Sequence, residues 1–189
     1  MPDTVRHDWS QATREHRDRQ RESIAWAALE LLARHGGAGV TMAAVAEAAG
    51  VSRQTLYRYH PDLDSVLVGV ASMVTASDEA FRVQVLAEPD APSRLHHLVT
   101  SIIEDTAHAP LAGRSVEGAL PPAGRDLLRA HERRTEALIA EILRLGVEDG
   151  EFASDLVPEV DAPLVLGLVM RADPDRAERV HAIIRKILR

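Results

Sequence analysis

The chain has 189 residues and a mass of 20.6 kDa, the size of one large domain or two small ones, and at 46% hydrophobic it holds ample material for a core. Only 3% of it is aromatic, so the core must be built from Ala, Leu, Val and Ile; the absence of cysteine excludes disulfides, Cys-ligated zinc, iron–sulfur ligation and thiol catalysis. The net charge of −7 is unevenly spread, with residues 1–60 at +1 (eight Arg, seven acids) and residues 61–189 at −8 (14 basic, 22 acidic), so a neutral front end can meet phosphate while the acidic body resists indiscriminate adhesion to DNA.

In chain order, residues 1–18 read as a polar, flexible arm with no apolar stretch of the secretory-signal kind. Helical spacing then recurs and no strand-like alternation does. Ile24, Ala27, Ala28, Leu31 and Leu32 make one face of a first helix, Arg19 to His35, which Gly36, Gly37 and Gly39 stop. Thr41 is the expected N-cap of a short second helix, Met42 to Ala49, ended by Gly50; Ser52 caps a third, Arg53 to Tyr59, closed by Pro61. A fourth is expected to run unbroken from Asp62 to Ala87, about 39 Å at 1.5 Å per residue, rigidly joining the front module to the body. Pro89 and Pro92 break it. Further helices are expected at Ser93–Ala109, Ala123–Asp149, Glu159–Ala172 and Pro174–Leu188. The longest apolar run, residues 163–170, is far short of a bilayer span, so a cytoplasmic protein with no membrane partner is the expectation.

The informative stretch is Thr41–Tyr59. Small residues at Ala43, Ala46 and Ala49 let two helices approach closely, Gly50 supplies the left-handed turn between them, and Val45, Val51 and Leu56 form a small core. Behind Ser52, the outer face of the third helix carries Arg53, Gln54, Thr55, Tyr57, Arg58 and Tyr59. These are donors able to reach phosphates and base edges, with no acid among them. Such a helix is an exception in a chain with 29 acids.

The segment 21–67, RESIAWAALELLARHGGAGVTMAAVAEAAGVSRQTLYRYHPDLDSVL, resembles the DNA-binding region of TetR-family transcriptional regulators, most specifically in VAEAAGVSRQTLYRY; ILRLGVEDGEF (142–152) is similar to a helix end late in that family. The resemblance implies an all-α protein of about nine helices: residues 19–65 a helix-turn-helix module, residues 66–189 a helical effector-binding and dimerisation body. It implies that Thr41, Thr55, Tyr57 and Tyr59 approach the DNA backbone and that Arg53, Gln54 and Arg58 lie where the family reads bases. It also implies a small effector, bound in the body, that releases double-stranded DNA. Two positions depart from the pattern: His60 replaces the usual aromatic after the third helix, and Leu63 replaces a phosphate-contacting lysine. Arg14, Arg17, Arg19 and Arg21 are the candidate substitutes.

One short helix covers few base pairs, so specificity calls for a homodimer on a pseudo-palindromic operator. Its expected surface is Leu164, Val165, Leu168, Val169, Val180, Ile183, Ile184 and Ile187. Met73, Ser77, Phe81, Ile102, Thr106, His131 and Thr135 are the candidate effector-pocket residues. Glu104, Asp105 and His108 lack a further ligand at metal spacing, and His96 and His97, about 100° apart on a helix, cannot chelate together. Gly113–Gly118 misses the G-x-S-x-G elbow by one residue. The expectation is thus a ligand-responsive regulator, a repressor, with no catalytic site, metal or cofactor. The alternative is a helical binding or enzymatic module whose helix-turn-helix no longer reads DNA.

Overall fold

A computed structural model describes residues 3–108, 117–171 and 177–187, with side-chain surroundings for residues 16–104, 117–171, 178–184 and 186. The described residues form nine α-helices, one 3-10 turn and no strand: α1 (Asp3–His35), the turn Gly37–Gly39, α2 (Met42–Ala48), α3 (Arg53–Tyr59), α4 (Leu63–Val74), α5 (Asp78–Leu86), α6 (Ala91–His108), α7 (Pro122–Glu148), α8 (Pro158–Val169) and α9 (Ala177–Ile187). The chain divides into two compact units, Met1–Ala76 with Gly113–Leu127, and Ser77–Ala112 with Leu128–Arg189. The expected start of the last helix at Asp173–Pro174 and the Gly113–Ser115 motif lie outside the described residues.

In the first unit, α1 packs along α4 and α2. It buries Ile24, Ala25, Ala27, Ala28, Leu29 and Leu32, a broader face than the spacing suggested, while Leu31 is only partly covered and Trp26 stays 50% exposed. The helix begins at Asp3, so most of the stretch expected to be a loose arm is helical. The reason is visible in the sequence: no Gly or Pro interrupts residues 3–35, and Arg14/Asp18 and Glu15/Arg19 are opposite charges at i, i+4.

The unbroken fourth helix is not found. It is two helices, α4 of 12 residues and α5 of 9, parted at Thr75–Ser77. Val74 and Thr75 are β-branched, the Thr75 hydroxyl donates to the Ser72 carbonyl (3.3 Å), and the Ala76 amide bonds Met73 in a tightened turn (3.4 Å). Side chains that offer the backbone other partners weaken a helix there. Ser77 then opens α5, with Asp78 and Glu79 at its positive end. The division between the two units falls at this break, so α4 ends within the first unit and does not run on into the second as the spacing implied.

The second unit is built around Val85, Leu95, Leu98, Val99, Ile103, Ile139, Ile142, Leu143, Val165 and Val169, aliphatic as the composition required. Its helix ends are chemically specified. The Asp90 carboxylate accepts from the Ser93 amide (2.7 Å), and hydrogen bonds from Ser93 hold its pKa below the usual carboxylate range. After α7, Gly150 takes φ +72° and the Glu151 amide returns to the Gly146 carbonyl (2.8 Å), a Schellman closure.

Candidate nucleic-acid interface

The α2–α3 pair is fixed by three local devices. The Thr41 hydroxyl accepts from the Ala44 amide (3.2 Å), and the Ser52 hydroxyl accepts from the Thr55 amide (3.0 Å). Between them Gly50 sits at φ +64°, with the Val51 amide bonded to Ala46 O (2.9 Å) and its own amide to Glu47 O (3.1 Å). That is a second Schellman turn, and it sets the angle at which α3 leaves α2. Val45, Ala46 and Leu56 are buried beneath and Ala49 is half-buried, as expected of a close-packed pair. Ala43 is not part of that contact. It is exposed, because it lies two residues, about 200°, around the helix from Val45.

With Leu56 turned inward, the rest of α3 faces out. Thr41, Ser52, Arg53, Gln54 and Arg58 are exposed, Tyr57 is 52% exposed, and Thr55 and Tyr59 are half-buried. The Arg58 guanidinium lies 5.1 Å from the Tyr59 ring centroid, a cation–π contact that orients it. No carboxylate occurs between Glu47 and Asp62, so the surface offers donors and positive charge without internal acids. Arg17, Arg19 and Arg21 are exposed on α1, while the side chain of Arg14 lies outside the described residues. Leu63, the departure at the head of α4, is half-buried, and the capping is done by Asp62 and Ser65 in a reciprocal box (2.7 and 3.4 Å).

His60, the other departure, is a structural element that spacing did not reveal. It is 5% exposed, its Nδ1–H donates to the Ser65 carbonyl (3.0 Å), and its buried Nε2 has no partner. Burial lowers its pKa from the ordinary imidazole value, outweighing the Ser65 hydrogen bond.

The expected effector-pocket residues are spread over both units. Met73 belongs to the first unit and Ser77 is exposed in the second. Phe81 and Ile102 pack on the second core. His131 is taken up by Asp78 (2.7 Å), which also receives Arg134 (2.6 Å), and the Thr135 hydroxyl donates back to the His131 carbonyl (3.1 Å). The Thr106 side chain lies outside the described residues. The concavity in the second unit is instead a half-open groove of about 690 Å³ lined by Glu88, His96, His97, Thr100, Phe152 and His181, among others. Its parts come from the α5–α6 connection, α6, the α7–α8 connection and α9, separations that no local motif exposes.

The expected dimer residues divide in two. Val165, Val169, Val180 and Ile184 are buried in the chain's own core, Leu168 and Ile183 are partly covered, and the Ile187 side chain lies outside the described residues. Among those whose side chains are described, Leu164 alone stands well exposed, at 68%. Exposed apolar residues occur singly at Trp26, Val74 and Val83, and together at Val157, Val160 and Leu164 of the α8 face, followed by Met170.

A glycine-turned helix pair presenting a capped, acid-free outer helix has the geometry of a helix-turn-helix module. Residues 24–67 match the family described as "Bacterial regulatory proteins, tetR family", and the chain as a whole has the all-helical fold of such regulators. It is similar to the fatty acid degradation regulator FadR from Bacillus halodurans (22% identity, TM-score 0.73, covering 90% of this chain and 96% of that one). It is similar also to FadR from Bacillus subtilis, solved in complex with stearoyl-CoA (16%, TM-score 0.73, 88% and 98%). A TetR-family regulator from Rhodococcus sp. shares 20% identity at a TM-score of 0.75 (90% and 98%). No curated protein matches the chain. The matched family and these neighbours are transcriptional regulators, not enzymes. No helix among the described residues is long and apolar enough to cross a membrane.

Proposed function

We propose that the protein is a cytoplasmic, ligand-responsive transcriptional repressor that binds a pseudo-palindromic operator as a homodimer and leaves it when a small effector occupies the body. The observation that carries the reading is the outer face of α3. Arg53, Gln54, Tyr57 and Arg58 are exposed together on a seven-residue helix whose entry and angle are set by Ser52 and Gly50. Arg53 and Gln54, at its N-terminal end, and Arg58 are assigned to base edges; Thr41, Ser52, Thr55, Tyr57 and Tyr59 are assigned to phosphates. The open apolar residues of α8, centred on Leu164, favour a second copy of the chain as partner. The FadR structure from Bacillus subtilis holds stearoyl-CoA, which supports a small-molecule effector here, and the groove of the second unit offers it a place.

Fluorescence anisotropy with a selected operator and a random duplex tests this. Affinity for both should fall steeply as salt rises. Arg53→Ala and Gln54→Ala should each erase much of the preference for operator, about 1–3 kcal/mol per lost base contact. Selectivity that survived both substitutions would overturn the base-contact assignment.

A further inference from the structure

We propose that His96 and His181 form a binding site for a divalent transition-metal cation, of the zinc type, opening on the groove between α6 and α9. The two imidazoles face each other through their Nδ1 atoms, 3.2 Å apart, with ring centroids 4.2 Å apart and planes inclined at 40°. Two nitrogens each about 2.0–2.1 Å from one tetrahedral zinc ion stand roughly 3.3 Å from one another, so the present spacing is already close to the edge of a coordination tetrahedron. In the metal-free pair the two lone-pair positions can share only a single proton. In the metal-bound pair the rings swing apart so that their centroids open from 4.2 Å to about 5 Å, both lone pairs then point at the cation, and each ring keeps its proton on Nε2.

The surroundings fit that second arrangement. Nε2 of His181 lies 3.1 Å from the Thr100 hydroxyl, so an Nε2–H can donate to it. A ligating histidine is usually held by such a bond at its other nitrogen, which fixes the tautomer and turns Nδ1 toward the metal. His181 is 6% exposed and His96 is exposed, so one ligand is anchored in the core and the other stands at the rim. Among the described residues no third His, Cys, Asp or Glu completes a cluster around one point. The remaining positions therefore belong to water or to a small molecule entering the groove. Glu88, Glu104 and Glu151 line that groove and give it a field that favours a cation. Nitrogen donors select zinc, copper or nickel over calcium and magnesium. Binding would tie α9 to α6 by a coordinate link in addition to the apolar contact of Val180 and Ile184.

Full-length protein, stripped with chelator and desalted, is titrated with zinc chloride by calorimetry while ¹H–¹⁵N spectra follow the imidazole nitrogens. The expected result is one zinc ion per chain, with the Nδ1 resonances of His96 and His181 shifting together. His96→Gln should weaken binding at least tenfold with an unchanged circular dichroism spectrum, because His96 is not part of the core. His97→Gln, the adjacent imidazole that pairs with Glu88 (3.0 Å), should stay within about twofold of the parent. Thr100→Val, which removes the positioning hydroxyl, should weaken binding about tenfold while leaving the stoichiometry at one. The proposal fails if no stoichiometric binding occurs, if His96→Gln binds as the parent does, if His97→Gln loses as much, or if Nε2 shifts in place of Nδ1.

Discussion

The His60 ring fills the notch over Gly69: its Cε1 lies 3.2 Å from where a Cβ on Gly69 would stand. The histidine is the C-cap of α3 and the glycine lies on α4, so this contact seats the outward-facing helix on its support. Neutral His60 satisfies the site through Nδ1–H, whereas a proton added at Nε2 would be a buried charge with no acceptor. Because burial lowers the folded-state pKa, the unfolded chain binds a proton that the folded module refuses. Stability contributed by this residue is thus fully present above the folded and unfolded values and is lost as pH falls below about 6.5 toward the depressed native value. Urea unfolding at pH 7.5 and 5.5 should show a smaller acid loss for His60→Phe than for the parent. Equal losses would remove His60 from the account.

The same notch predicts a coupled pair. Replacing a mid-helix glycine by alanine ordinarily stabilises by about 1 kcal/mol. At Gly69 the new methyl would crowd a ring that the Ser65 carbonyl holds in place. Gly69→Ala should therefore bring no gain, and a lower melting temperature, in the parent. In a His60→Ala background, with the ring gone, the same change should recover about 1 kcal/mol. A double-mutant cycle by thermal melting measures the difference, and simple additivity would show that the contact is not energetically coupled.

Gly50 is a cleaner case. Nothing lies within 4 Å of an added Cβ, so the cost of Gly50→Ala is the left-handed backbone alone, about 1 kcal/mol. Ser52→Ala should cost a similar amount by removing the cap of α3, since the Thr55 amide would lose its acceptor. Chemical denaturation checks both. The two effects should not simply add, because both residues hold the same junction.

These residues show what was legible from sequence. Thr41, Gly50 and Ser52 act within three to five residues of themselves, so their chemistry was readable along the chain, and with it the outward face of α3. The break in the fourth helix was hidden because the apolar rhythm continues across Thr75–Ser77 while the backbone there turns to other partners. Long-range groupings left no trace. His96 and His181 are separated by 85 positions, and nothing local tells Asp78 that it will hold His131 and Arg134. An apolar stripe, finally, says that a face is covered but not by what. Val180 and Ile184 are covered by their own chain.

That last distinction yields a prediction about assembly. Ile184 is 4% exposed in the chain's own core, so Ile184→Asp would bury an unpaired carboxylate and unfold the second unit whether or not a dimer exists. Leu164 is the informative position, because at 68% exposure a charge there is solvated in the isolated chain and costs little. If a second copy covers Val157, Val160 and Leu164, then Leu164→Glu places a charge of the same sign on both sides of that contact. The expected outcome is a halved mass in sedimentation equilibrium at micromolar concentration, with the helical signal and melting of the monomer retained. Operator affinity should then fall sharply, since one half-site contact would have to suffice alone. An unchanged mass would move the interface off α8; a halved mass with unchanged operator affinity would separate dimerisation from DNA reading.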